Sequence, residues 1–219
     1  MTNWSVLGPQ LLTSIGETLY MVVVTMIIAG FLGLVFGVAL YVTRPGGIYA
    51  NRPLNTAINL IVNFVRPIPF IILLAALGPL TETVIGTRLG QNAAIFAMTI
   101  AALFAVARIV EQNLMSVDPG VIEAARSMGV SRFRIMTTVI LPEALGPLVL
   151  GYTFLVIGVT DMSAMAGAIG AGGLGDFALR LGYQRFNDEV TWAAVAVIIV
   201  LVQTVQFVGN AMARRIMRR

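Results

Sequence analysis

Few residues in this sequence can do chemistry, and the polar ones crowd one stretch. Residues 118–142 read DPGVIEAARSMGVSRFRIMTTVILP and carry Glu123, Arg126, Arg132 and Arg134, in a chain that is 58% hydrophobic. There is no cysteine and no histidine, and all 14 basic residues are arginine. Thiolate nucleophiles, disulfides, thiolate or imidazole metal sites and histidine general bases are therefore absent. A P-loop needs a lysine on the nucleotide phosphates, so this chain holds no standard ATP site, and any ATP that powers it is burned by another polypeptide. An intramembrane enzyme would need a carboxylate pair or a serine with an unusual base, yet the acids are scattered singly.

The stretch carries its own start and stop signals. Asp118 caps a helix with Pro119 at the first helical position, and Gly129 ends it. Val121, Ala125 and Met128 fall on one face at i, i+4, i+7, with Glu123, Arg126 and Ser127 elsewhere. Ser131 caps a second helix running toward Pro142. An apolar face on so short a helix needs either a docking partner or lipid headgroups to lie on.

The rest of the chain must hold this stretch in place. With 219 residues and only 11% charged, the composition is that of an all-α polytopic membrane protein in a lipid bilayer. The arginines are dispersed among lipid-length apolar runs and read as topology signals, and no soluble domain is left to read nucleic acid. Five spans are expected at about 18–42, 56–78, 91–113, 143–161 and 190–213, in a single domain covering 1–219, with the polar loop at 116–141. The N-terminal residues lack the basic start of a cleaved signal peptide.

Polar features inside the spans raise separate questions. Gly33 and Gly37 are spaced GxxxG, for helix packing or as ordinary membrane-helix glycine. Asn55, Asn59 and Asn63 make a stripe that must face protein or water, as path lining, a dimer seam or interhelical hydrogen bonds. Arg66-Pro67-Ile68-Pro69 frees backbone groups and kinks the second span. Residues 78–90 and 162–189 read as loops. Arg108 and Glu111 can pair and reach the interface. Asp161, Met162, Ser163 and Met165 stand at the end of the fourth span, where thioethers can seal or yield around a small apolar group. The run 170–175 matches GxGxxG but follows no strand, so backbone packing is the better account than a dinucleotide site.

Charge bias sets the orientation. With the C-terminus inside, Arg44, Arg52, Arg126, Arg132, Arg134, Arg214, Arg215, Arg218 and Arg219 are cytoplasmic, against Arg88, Arg180 and Arg185 outside. The N-terminus is then outside and the polar stretch cytoplasmic.

That stretch resembles the loop of permease subunits of ATP-binding-cassette importers: EAA, three residues, Gly, nine residues, Ile-x-Leu-Pro. Here it is Glu123-Ala124-Ala125, Gly129, then Val139-Ile140-Leu141-Pro142, with Val139 in place of Ile. LYVTRPG at 40–46, IPFIILL at 68–74 and GAIGAGGLG at 167–175 further resemble methionine-importer permeases, so the likeness covers essentially the whole chain. Pro67 departs from the Ser or Gly of related permeases, and Asp161 is foreign to the pattern.

The resemblance implies a type I ABC importer permease fold in the bacterial inner membrane. It implies a homodimer around the translocation path, a dimer of ABC ATPase subunits below and an extracytoplasmic binding protein delivering methionine. ATP and Mg would sit on the ATPase, with no cofactor on this chain. Glu123, Ala124, Ala125, Arg126, Met128, Gly129, Leu141 and Pro142 would then couple nucleotide closure to the spans, and Asn59, Asn63, Asp161, Met162, Ser163 and Met165 would line the path or gate. Permeases for another amino acid or an osmolyte share the loop. A secondary carrier would instead show inverted repeats and paired midplane acids.

Overall fold

The computed structural model describes residues 2–217; Met1, and Arg218 and Arg219 on which the expected orientation drew, lie outside the described residues. The described residues are helical, without strands. Four helices are long and apolar enough to cross a membrane, or up to 5 when one bent pair counts as a span.

Helix α1 (Trp4–Thr43) begins well before the expected 18. Asn3 accepts the Ser5 N–H at 3.2 Å to start it. Its first turns hold because Leu7 and Leu11 pack on Phe177, Leu181, Val190 and Ala194, a tertiary contact that periodicity could not announce. At 40 residues, α1 is about 60 Å long, roughly twice a hydrocarbon core.

Its partner is α5 (Gln91–Met115), and the two meet at the glycine pair. A Cβ on Gly37 would lie 2.5 Å from the Val110 Cβ and 2.6 Å from the Ala107 carbonyl oxygen, while Gly33 faces Val106. Gly33 and Gly37 thus serve close helix packing. Gly37→Leu is expected to cost about 1–3 kcal/mol or more through this overlap. Gly16→Leu, where nothing lies within 4 Å, serves as the control. Thermal-unfolding midpoints of the two purified variants check it, and equal midpoints contradict the packing.

Between them the expected second span is broken. Helix α2 (Arg52–Val65) starts on Asn51, whose Oδ1 accepts the Leu54 N–H at 3.2 Å. It turns by 102° into α3 (Phe70–Ala76), because Pro67 and Pro69 remove two amide donors in succession. The expected loop 78–90 contains a further helix, α4 (Gly78–Ile85).

After α5 come α6 (Pro119–Ser127) and α7 (Arg132–Ile135). A π turn, Met136–Ile140, then leads without interruption into α8 (Leu141–Ala166), with Leu141 N–H reaching back to Met136 O. Pro142 therefore sits in the first turn of a continuing helix rather than at a fresh start. Residues 167–187 are mostly short helical pieces, not open loop: a glycine turn, α9 (Gly173–Asp176), a π turn and a 3-10 turn. Helix α10 (Asp188–Met217) closes the described chain.

Candidate functional site

Local chemistry caps α6 at both ends. The Asp118 carboxylate accepts the Gly120 N–H at 2.7 Å. At the other end Gly129 takes φ +73, its N–H reaching Arg126 O at 2.9 Å and that of Val130 reaching Ala125 O at 3.2 Å. This pair of bonds is a Schellman closure, which a residue with a Cβ adopts only under strain.

The buried face of α6 differs from the expected one. Ile122 and Ala125 are buried, in a cluster with Ile48, Val117 and Ile135. Val121 and Met128 point outward instead, Met128 at 75% exposure, together with Phe133 at 71%. The expected face is split because the seat comes from the α1–α2 turn and α7, which select Ile122 over Val121. Ala124, Glu123 and Arg126 are exposed; Leu141 is half-buried and Pro142 exposed. A small cavity of about 150 Å³ joins Tyr41, Arg44 and Ile48 to Pro119, Glu123 and Arg126. Glu123 has no ion-pair partner among the described residues. The Arg44 guanidinium lies 4.3 Å from the Tyr41 ring centroid, and that of Arg132 lies 5.8 Å from Tyr49. The result is a helix capped at both ends, with apolar Val121 and Met128 exposed and Arg126 and Arg132 nearby in the chain.

Deeper in the bundle the asparagine stripe meets Arg108. Its Nη2 donates to Asn59 Oδ1 at 3.0 Å and Asn63 Oδ1 at 2.7 Å, while Nη1 pairs with Glu111. Asn59 Nδ2 donates to Asn55 Oδ1 at 3.0 Å, and Asn55 Nδ2 to Leu40 O at 2.9 Å. Arg108 and Glu111 side chains are only 16% and 9% exposed. The pair was expected to reach the interface, but the stripe captures it. Each half of the network was visible in the sequence; that they share a level was not.

At the far end the four gate candidates do not share a face. Asp161 and Met165 are exposed on α8 and Met162 is half-buried. Ser163 is buried, its hydroxyl donating to Thr160 O at 2.7 Å. Sequence reasoning passed over Glu17, whose Oε2 accepts the Gly173 N–H at 2.6 Å while Thr18 Oγ1 accepts that of Leu174 at 2.8 Å. The glycine run thus tucks its amides under α1, and a Cβ at Gly172 would strike the Glu17 carboxylate.

Residues 33–219 match the profile of the family described as binding-protein-dependent transport system inner membrane component. A probable D-methionine transport system permease protein, MetI of Vibrio cholerae, is 40% identical over 220 residues, covering 100% of this chain and 98% of that one. The Bacillus subtilis methionine import system permease protein MetP is 41% identical over 180 residues, 82% of this chain and 81% of its own. The chain also superimposes on an inward-facing MetNI methionine ABC transporter, native crystal form, with a TM-score of 0.94 and 40% identity, covering 99% of each chain. The chain therefore belongs to the family of binding-protein-dependent transport system inner membrane components.

Proposed function

We propose that this chain is the membrane-spanning subunit of an ATP-driven methionine importer, and that α6 is the peg through which a partner ATPase moves it. The observation that carries the proposal is the division of α6 between a buried seat, Ile122 and Ala125, and an exposed apolar face, Val121 and Met128. A helix seated this way transmits a push without losing its fold. Whole-length likeness to methionine permeases supports the cargo.

In this reading Glu123 and Arg126 flank the docking face, Ala124 permits close approach, and Gly129 fixes the exit. Leu141 and Pro142 join the peg to α8, which then moves with it. The nucleotide and its Mg belong to the ATPase, and this chain binds neither. Two copies enclose the path, in the bacterial inner membrane, with the N-terminus outside and α6 in the cytoplasm. An extracytoplasmic binding protein delivers cargo at the outer end, where Asp161, Met162, Ser163 and Met165 form the gate region. Asn59 and Asn63, held by Arg108, shape the path wall.

The test is uptake of labelled methionine into proteoliposomes containing this chain, its ATPase and its binding protein. ATP-dependent uptake that excess unlabelled methionine abolishes and other amino acids spare is expected. Uptake of a different amino acid in preference to methionine overturns the cargo while leaving the importer reading intact.

A further inference from the structure

The break between α2 and α3 leaves polar groups at a depth where lipid cannot satisfy them. Just before the break, Val62 packs against Leu40 and Ala107. Just after it, Phe70 joins the cluster holding Ala94, Met98 and Ala102. The bend therefore lies alongside α5 (Gln91–Met115) between the levels of Ala94 and Ala107, inside both ends of that helix. Helix α5 is long and apolar enough to cross a membrane, so the bend lies beside a span rather than beyond its end.

Arg66 stands at this bend, exposed. It has no ion-pair partner among the described residues. Pro67 and Pro69 lack the amide protons that would bond carbonyls four residues back, and the Ile68 N–H turns to Val65 O at 3.1 Å; no backbone N–H among the described residues reaches the Phe64, Arg66 or Pro67 carbonyls. Irregular backbone at membrane depth persists only where protein buries it or water fills the space beside it. A lone guanidinium on a lipid face carries a similar penalty. The bend is also held in place: Arg108 grips Asn59 and Asn63 on the turns leading into it. Phe64 before the bend and Ile72 after it are both exposed apolar side chains.

We propose that the Arg66 bend faces the aqueous path and binds the cargo as an amino-acid zwitterion, with the guanidinium taking the α-carboxylate and the Phe64 and Pro67 carbonyls taking the ammonium. The inference rests on the importer reading and deepens it, because it names the cargo groups that this chain itself recognises. Guanidinium and carboxylate match as a two-pronged, charge-assisted pair. Freed carbonyls are acceptors only, which suits an ammonium and repels a second carboxylate. The exposed Phe64 ring leaves an apolar contact for the cargo side chain.

The experiment uses the full reconstituted complex and reads methionine imported per ATP hydrolysed. Arg66→Gln is expected to lower that ratio roughly tenfold, the size of one lost charge-assisted bond. Arg66→Lys, which keeps the charge, should stay within about threefold of wild type. A purely structural defect lowers uptake and hydrolysis together and leaves the ratio unchanged, which would overturn the proposal. Should Arg66→Gln fail to insert, thiol labelling decides, since the chain has no cysteine of its own. Arg66→Cys in membranes should react with a charged, impermeant methanethiosulfonate at a rate well above Ile27→Cys, an exposed position on α1; equal rates overturn it. Failure of the wild-type complex to import methionine at all would instead indict the importer reading.

Discussion

Arg108→Leu is expected to lose about 3–5 kcal/mol of stability, because the substitution strands a buried carboxylate. Glu111 would be left without its partner in a site only 9% exposed, and Asn59 and Asn63 would lose the donor to their side-chain oxygens. The half-buried Asn59 oxygen carries part of that loss as unrepaid desolvation, while the exposed Asn63 oxygen can turn to water. The loss should appear as a fall in thermal-unfolding midpoint and in membrane-resident protein. Arg108→Leu with Glu111→Leu should recover part of it, since replacing both partners of a buried pair removes the lone charge. A single variant as stable as wild type, or a double variant worse than either single, would show that the network is not what holds α2.

The second large effect falls on uptake. Gly129→Asp is expected to abolish ATP-driven import while the protein still inserts. At φ +73 a side chain strains the Schellman closure by about 1 kcal/mol. The new carboxylate also sits beside Met128, on the face that must become dry against a partner, where an unpaired charge is costly. Gly129→Asn separates the two causes, because Asn tolerates the left-handed region and brings no charge. Substantial import by Gly129→Asn with none by Gly129→Asp assigns the loss to charge in the docking face. Equal loss in both assigns it to the turn, and normal import by Gly129→Asp contradicts the role of α6.

Parts of this account were legible in the sequence, and each for a local reason. The caps of α6 could be read because Asp118-Pro119 and Gly129 act within a turn of where they sit. Its buried face could not. Val121, Ala125 and Met128 share an apolar spacing, but the choice of Ile122 is made by Ile135 beyond the Gly129 turn and by Ile48, which is remote in the chain. The asparagine stripe announced a polar need without its donor, because the register of α2 against α5 depends on where Asn51 starts α2 and where the prolines end it. The N-terminal reach of α1 was hidden for the same reason, its support lying in Phe177 and Val190. The glycine run read as loop since its order comes from Glu17 and Thr18 on α1.

The central claim is that force enters this chain from a separate ATPase through α6. Purified protein in proteoliposomes, assayed for ATP hydrolysis and methionine accumulation first alone and then with ATPase and binding protein added, tests it most directly. Neither activity is expected from the chain alone, and both are expected once the partners are present. Uphill transport or nucleotide hydrolysis by the chain by itself would contradict it.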